Sequence, residues 1–225
     1  MISRRLATTL VSWLAFLAAV APLRAQTVPA PQPAQRPSST PYTGDLSVFD
    51  YPDRAQKLHI DQVMDLLRIQ PGKSVADIGA GSGWFTVLAA KRVTSTGKVY
   101  AVDINPEAIS YIQNRVQQDK LQNVMTILGE PDNPMLPTHS VDAVLLLKVY
   151  HEVAEPIDLM RNVAASLRPG GLVGIIDRNG NAGNHGVDKS VVINEMKRAG
   201  YRLVGQHDDL VKADRVDYFL IFETQ

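Results

Sequence analysis

The 225-residue chain lacks cysteine, an excess of positive charge and any apolar run of the length that crosses a bilayer. Without cysteine there is no disulfide framework and no lipid-modified N-terminal cysteine, although this absence alone does not locate the protein. Lysine and arginine total 23, and aspartate and glutamate also total 23. Because phosphate binding relies on a basic face, this balance argues against nucleic acid as a partner.

The first 25 residues have the pattern of a secretory signal peptide. Arg4 and Arg5 precede an apolar run from Leu10 to Val20, and small residues follow up to Ala25. This run has roughly half of the ~20 residues that a membrane-spanning helix needs, so a permanent span is the weaker interpretation. We therefore expect an exported, periplasmic protein that is cleaved after Ala25 and has no membrane span afterwards.

Residues 26–44 predict an extended, solvated linker between this signal and a domain that covers residues 45–225. The segment contains little to bury and has prolines at positions 29, 31, 33, 37 and 41. Cleavage removes Arg4, Arg5 and Arg24 and no acid, which leaves 20 basic against 23 acidic side chains, a net charge of −3. This charge again disfavours nucleic acid.

From Arg54 onward, the spacing of apolar residues predicts alternating helices and strands. We expect helices at 54–67, 84–93, from 106, 156–167 and 188–199, and strands at 75–78, 99–103, 124–128, 141–147 and 172–177. Such alternation predicts an α/β fold, doubly wound around a parallel sheet. Two further strands, 201–207 and 216–222, have no room for a helix between them and predict an antiparallel hairpin at the edge of a seven-stranded sheet.

The most informative segment is 75–85, where a short apolar strand leads into three alternating glycines and then a helix. Glycine permits a tight turn and a close approach of the backbone to a ligand, and the start of the helix offers N–H donors to an anionic group. A dinucleotide-binding loop usually has the spacing Gly-x-Gly-x-x-Gly, whereas here Trp84 stands where the last glycine is expected. The segment therefore predicts a nucleotide-type ligand bound in a variant loop.

The pattern Asp77-x-Gly79-x-Gly81-x-Gly83 resembles the first motif of class I S-adenosylmethionine (SAM) dependent methyltransferases. The resemblance covers about residues 71–222 and includes Leu-Arg-Pro-Gly-Gly at 167–171. It implies a Rossmann-like fold, SAM as the cofactor and methyl transfer to an acceptor, which the lack of a second domain suggests is a small molecule. It also implies that the aminocarboxypropyl part of SAM lies against these residues, with Asp77 near its ammonium group: Asp77, Gly79, Ala80, Gly81, Ser82 and Gly83.

Two acids follow neighbouring strands and are candidates for binding the nucleoside. Asp103 ends the second strand, where a carboxylate can accept hydrogen bonds from both ribose hydroxyls. Because Asn105 and Pro106 supply the helix cap, Asp103 is expected to be free for ribose. The resemblance places Ile104 on adenine and assigns the adenine amino group to Glu130, which precedes Pro131. A turn acid in solvent is the alternative for Glu130.

The segment after the fourth strand, from Leu147 to Glu152, is where the resemblance places the acceptor side of the site. Leu147 is expected to contact the cofactor. His151 has a suitable pKa for a general base if the acceptor must lose a proton, and Tyr150 can orient the acceptor. Alternatively, His151 caps the following helix and Tyr150 only packs in the core.

No spacing in the sequence supports a metal site, although His151, Glu152, Asp177 and His185 are residue types that bind metals. The segment from Phe49 to Arg54 is expected either to cover the pocket or to dock on the surface. Two other functions stay open: an exported module that binds a nucleoside ligand without turnover, and an NAD-linked oxidoreductase. Trp84 and the terminal hairpin disfavour the oxidoreductase.

Overall fold

Seven strands form one hydrogen-bonded sheet in the part of the chain that the structure, a computed structural model, describes, namely residues 36–225. The predicted signal peptide and the first part of the predicted linker lie outside these residues. The strands are β1 (Ser74–Ile78), β2 (Lys98–Asp103), β3 (Val124–Leu128), β4 (Val141–Leu147), β5 (Leu167–Asp177), β6 (Tyr201–Gln206) and β7 (Tyr218–Thr224). Their order across the sheet is β3-β2-β1-β4-β5-β7-β6.

The helices mostly connect consecutive strands. They are α1 (Arg54–Lys57), α2 (Ile60–Leu66), α3 (Trp84–Val93), α4 (Pro106–Gln118), α5 (Pro156–Ser166), α6 (Lys189–Arg198) and α7 (Asp208–Val211). Short 3₁₀ helices occupy Leu46–Phe49, Tyr150–Glu152, Ala182–Asn184 and Lys212–Asp214. Among residues 36–225, no helix combines the length and the apolar character that a membrane span requires.

The pairing of the strands confirms the predicted fold class. β1 to β5 pair in parallel, while β7 pairs antiparallel with both β5 and β6. The chain builds outward from β1 to β3 and then returns to place β4 on the other side of β1. In a sheet of this kind the ligand binds at the carboxyl ends of the strands beside this reversal.

Both faces of the sheet are buried, as a doubly wound fold requires. Along β4, Val144 and Leu146 belong to one apolar cluster, whereas Ala143 and Leu145 belong to another. The first cluster includes residues of α5 and α6, and the second includes residues of α2 and α3. Successive strand residues therefore point to helices on opposite sides, and the polar loops at the strand ends are left to form a site.

The structure corrects three of the predicted elements. The helix expected at 54–67 is two helices, because His59 has a left-handed backbone with φ of 45°. The segment between β6 and β7 holds α7 and a 3₁₀ helix, so the prediction that no helix fits there is wrong. β5 begins at Leu167 and not at 172. Its pairing with β4 shifts register between Val141 and Ala143, so the Pro-Gly-Gly segment is included in the strand.

The segment before the first helix lies against the domain from Arg36 onward. Arg36 forms an ion pair with Glu195, with Nε 2.9 Å from Oε1, and donates from Nη2 to the Tyr150 carbonyl oxygen at 2.7 Å. Ser39 is buried and donates its backbone N–H to the His151 carbonyl oxygen at 2.9 Å. The part of the predicted linker that the structure describes is therefore anchored beside the fourth strand, where sequence composition predicted a solvated spacer.

Candidate active site

A cavity of about 680 Å³ opens at the carboxyl ends of β1, β2, β4 and β5, beside the point where the strand order reverses. This size falls within the range of about 300–1,000 Å³ that is typical of small-molecule sites. Its walls include most of the residues that the sequence predicted: Asp77, Gly79, Ala80, Gly81, Ser82, Asp103, Ile104, Glu130, Leu147 and His151. The structure therefore brings the loops after strands one to four together.

The glycine loop turns between β1 and α3 with a left-handed backbone at each glycine. Gly79 has φ of 71°, and a Cβ atom at this position would lie 2.3 Å from Cγ2 of Val149. The N–H groups of Gly79 and Ala80 donate to the Val102 carbonyl oxygen at 2.8 and 3.1 Å. These bonds hold the turn against β2 and keep its backbone on the wall of the cavity.

Asp103 joins the glycine loop to the end of β2. Its Oδ2 accepts a hydrogen bond from the Gly81 N–H, and its Oδ1 accepts one from the Asn105 N–H, both at 2.9 Å. Asn105 caps α4 as predicted, with its side chain accepting from the Glu107 N–H. The Asp103 carboxylate is therefore less free than the sequence suggested, but each oxygen has a second lone pair for a ligand hydroxyl.

Two further walls match what a nucleoside requires. Ile104 is 44% exposed although it is large and apolar, and its exposed surface faces the cavity. Glu130 also lines the cavity, in a turn closed by the hydrogen bond from its N–H to the Asn133 carbonyl oxygen at 2.7 Å. An apolar surface and a nearby carboxylate are suited to an aromatic ring that carries an amino group.

Asp77 lies at the end of β1, buried beneath the glycine loop. Burial raises the pKa of its carboxyl group to about 6, against the opposing effects of a hydrogen bond from Thr86 and of the positive charge of Arg54. The Thr86 hydroxyl donates to Asp77 Oδ2 at 2.6 Å. A buried carboxylate that lacks an ion-pair partner at contact distance is a suitable counter-charge for a cationic ligand group.

Arg54, at the start of α1, is a site residue that sequence reasoning did not single out. It is 6% exposed and lines the cavity, with its guanidinium carbon 4.3 Å from the centroid of the Trp84 ring. Its Nη1 donates to the Phe49 carbonyl oxygen at 2.7 Å, whereas its buried Nε has no partner within the described residues. The available signal was the charged and aromatic segment from Phe49 to Arg54, which does line the cavity through these two residues.

His151 also lines the cavity and is held by Asp177 at the end of β5. Its Nδ1 is 2.9 Å from both carboxylate oxygens, and its backbone N–H donates to Oδ2 at 3.1 Å. Because a carboxylate only accepts hydrogen bonds, Nδ1 carries the hydrogen and Nε2 keeps a free lone pair. Burial raises the pKa of the adjacent Glu152 to about 7, although His151 acts to lower it.

Three predicted site residues do not line the cavity. Tyr150 is fully buried in the apolar core, with the Arg36 guanidinium carbon 5.4 Å from its ring centroid, so it is not placed to orient an acceptor. Gly83 caps α3, and a Cβ there would lie 3.0 Å from Cγ1 of Ile112. Pro131 is exposed in the turn after Glu130.

Lys148 lines the cavity and belongs to a polar cluster with Tyr51 and Asp214. Lys148 Nζ is 2.7 Å from Oδ2 of the buried Asp214, and the Tyr51 hydroxyl donates to the other oxygen of the same carboxylate. Lys148 follows β4, Tyr51 precedes α1, and Asp214 ends the 3₁₀ helix before β7. The cluster thus ties together three segments that are far apart in sequence, which explains why no sequence motif indicated it.

The loop after β5 adds His185 to the same end of the cavity as His151 and Glu152. One ligand-type atom from each of these three side chains lies within 4.8 Å of the others. The rings of His151 and His185 are perpendicular, with centroids 5.9 Å apart. Residue spacing did not predict this grouping, because the residues come from two different strand ends.

Fold and site together define a Rossmann-like α/β protein with a nucleotide-type cradle at the strand reversal. Residues 76–175 match a family model described as a methyltransferase domain. The crystal structure of a SAM dependent methyltransferase from Aquifex aeolicus superposes with a TM-score of 0.72 at 22% identity, over 80% of this chain and 98% of that chain. This structural likeness shows the fold.

Two curated relatives agree with the family model. This chain is 36% identical to the arsenite methyltransferase of Halobacterium salinarum over 107 residues. These residues are 48% of this chain and 27% of that protein. It is 28% identical over 109 residues to the protein-L-isoaspartate O-methyltransferase of Pyrococcus horikoshii, 48% of this chain and 46% of that protein. The chain thus spans less than half the length of either relative. The family model and both relatives are described as methyltransferases, and these comparisons imply SAM as the cofactor.

Proposed function

We propose that this protein transfers a methyl group from SAM to a small-molecule acceptor that binds beside His151. The observation that carries the proposal is that one cavity is lined both by the glycine loop joined to Asp103 and by the His151–Asp177 pair. The first feature suits a nucleoside cofactor. The second places a polarised imidazole where an acceptor can reach it.

Residues on the cofactor side fit the charged and apolar groups of SAM. The buried Asp77 carboxylate suits the ammonium group, and the unpartnered Nε of Arg54 suits the carboxylate of the same amino acid. Asp103 has lone pairs for the ribose hydroxyls. Ile104 and Glu130 provide an apolar surface and an acceptor for adenine. A side chain at Gly79 would clash with Val149, so this wall can only be formed by bare backbone.

SAM supplies an electrophilic methyl group on a sulfonium, so the protein mainly has to align the acceptor. We infer that His151 contacts the acceptor through Nε2 and takes up the proton of an acceptor that must lose one. Asp177 fixes the tautomer of His151. Leu46, Phe49 and Val153 add apolar surface to the cavity. The acceptors named in the relatives are not carried over, because the matched family model ends before Asp177 and His185.

Calorimetric titration of the full chain with SAM, S-adenosylhomocysteine and NAD tests the proposal. We expect binding of SAM and S-adenosylhomocysteine, with a loss of at least tenfold in affinity for Asp103→Ala. The matched control is Glu107→Ala, because Glu107 lies on the first turn of the next helix and outside the cavity lining. Binding of NAD in place of SAM would favour an oxidoreductase and contradict the proposal. SAM binding without turnover in a broad acceptor screen would favour a binding module.

We also propose that the chain is exported to the periplasm. Arg4, Arg5 and the apolar run from Leu10 to Val20 support this proposal. N-terminal sequencing of the protein recovered from a periplasmic fraction should begin at Gln26. Recovery of a chain that still starts at Met1 in the cytoplasmic fraction would contradict export.

A further inference from the structure

Three side chains with metal-binding atoms converge at the acceptor end of the cavity. His151 and Glu152 follow β4, and His185 lies in the loop after β5. One nitrogen or oxygen atom from each lies within 4.8 Å of the others, and Nε2 of His151 is 3.8 Å from Oε1 of Glu152. All three residues line the cavity. Their donor atoms therefore surround a point that a ligand in the cavity can reach.

A second observation shows that His151 is oriented as a metal-binding histidine is. Its Nδ1 donates to Asp177, which is 1% exposed and also accepts from the Arg178 N–H at 2.9 Å. Histidine ligands in metal sites almost always donate their other ring nitrogen to a carboxylate or carbonyl, which fixes the ring and makes the ligand more basic. The buried carboxylate thus leaves the Nε2 lone pair directed at Glu152.

The loop that carries His185 is tied to the same strand end. Arg178 Nε donates to the His185 carbonyl oxygen at 2.6 Å, and the Ser39 hydroxyl donates to the Ala182 carbonyl oxygen at 3.1 Å. Tetrahedral ligands at about 2.1 Å from an ion are about 3.4 Å apart, so donor atoms that lie up to 4.8 Å apart need to close by up to about 1.4 Å. His185 is exposed, and rotation of its side chain can supply most of this approach.

We propose that His151, Glu152 and His185 form a site for a divalent first-row transition metal ion such as Zn²⁺ or Co²⁺. Two imidazoles and one carboxylate favour these ions over Mg²⁺ and Ca²⁺, which prefer all-oxygen sites. Three protein ligands leave at least one position open, as in catalytic zinc sites. The open position suits an oxygen, nitrogen or sulfur atom of the acceptor, so that with the ion bound it is the ion, and not Nε2 of His151, that contacts the acceptor. This use in catalysis rests on the proposed methyl transfer, whereas binding of the ion does not.

Titration of the chelator-treated full chain with Co²⁺, followed by visible absorption, tests the site directly. We expect one ion per chain and a spectrum that changes when Zn²⁺ displaces Co²⁺. His185→Ala removes one ligand from an exposed position and should weaken Co²⁺ binding at least tenfold without impairing folding. Asp177→Asn should weaken it by about 10–100-fold through His151. The matched control is His207→Ala, because His207 packs against Phe219 outside this cavity and should leave binding unchanged.

Two results would overturn the inference: no stoichiometric Co²⁺ binding by the wild-type chain, or binding that His185→Ala leaves unchanged. The SAM titration separates this inference from the proposed function. Co²⁺ binding that depends on His185 in a chain that does not bind SAM supports the metal site and rejects the methyltransferase proposal. SAM binding by a chain that binds no Co²⁺ supports the methyltransferase proposal and rejects the metal site.

Discussion

The backbone of Gly79 lies so close to Val149 that a Cβ atom on the glycine would be 2.3 Å from Cγ2 of the valine. Gly79 also has φ of 71°, a backbone conformation that residues other than glycine rarely adopt. This contact joins the loop after β1 to the segment after β4, and so it joins the cofactor side of the site to the acceptor side.

Gly79→Ala should therefore lower both the stability and the affinity for SAM. Left-handed strain and the clash together should cost about 2–4 kcal/mol in the free energy of unfolding, measured in urea. Adding Val149→Ala to Gly79→Ala should recover part of this loss, because the second change removes the clash but not the backbone strain. Equal stability of the single and double variants would contradict the close contact.

Arg54→Met should weaken SAM binding by about tenfold or more, because a charge-assisted hydrogen bond to the SAM carboxylate is lost. Binding of 5′-methylthioadenosine, which has no amino acid part, should change little. Calorimetry with both ligands measures the difference. Asp103→Ala is the complementary variant and should weaken both ligands, since both contain ribose. An equal loss of affinity for both ligands in Arg54→Met would instead indicate that Arg54 only supports the fold through Trp84.

Asp77→Asn should stabilise the fold at pH 8. Burial raises the pKa of Asp77 from 3.8 to about 6 in the native state. Between these values the native state holds a proton that the unfolded state releases, so this group lowers the stability as the pH rises. A shift of about two units corresponds to about 3 kcal/mol at most.

Urea unfolding at about pH 8 and pH 4 checks this prediction. The variant should exceed the wild type by about 1–3 kcal/mol at the higher pH and by under about 1 kcal/mol at the lower pH. SAM affinity should fall in the same variant, because the ammonium group loses its counter-charge. A stability difference that is the same at both pH values would show that titration of Asp77 is not its cause.

Asp214→Asn should lower the free energy of unfolding by about 2–3 kcal/mol, since it leaves Lys148 without its partner in a largely buried ion pair. Thermal and urea unfolding measure the loss. Asp209→Asn is the matched control, because this aspartate lies on the same segment with a side chain that is 93% exposed. Its exposed ion pair with Lys212 should contribute little to the stability. Equal losses in the two variants would argue against the Asp214 cluster.

Much of the site could be predicted from short stretches of sequence. The glycine loop, Asp103 and Ile104 each follow a strand within a few residues, and parallel strands must place such residues at one edge of the sheet. Tyr150 shows the limit of this reasoning, because adjacent residues of one short helix have different environments. His151 faces the cavity, whereas the ring of Tyr150 lies in the core.

Local patterns also missed the residues that reach the site from distant segments. Arg54 lines the cavity from α1, and Asp214, in the segment between β6 and β7, pairs with Lys148 on the cavity wall. The same applies to the predicted linker, where Arg36 and Ser39 find partners on α6, Ala182 and His151. Proline content indicates an extended backbone, but it carries no information on what that backbone will contact.

Local periodicity predicted the strands β1 to β7 in their chain order, the glycine loop and the acid at the end of β2, but it missed the helix between β6 and β7. Only the packing of distant segments brings together Gly79 with Val149, Lys148 with Asp214, and His151 with Asp177 and His185. Such contacts depend on strand register and loop packing, where a shift of one residue turns a side chain from the site into the core.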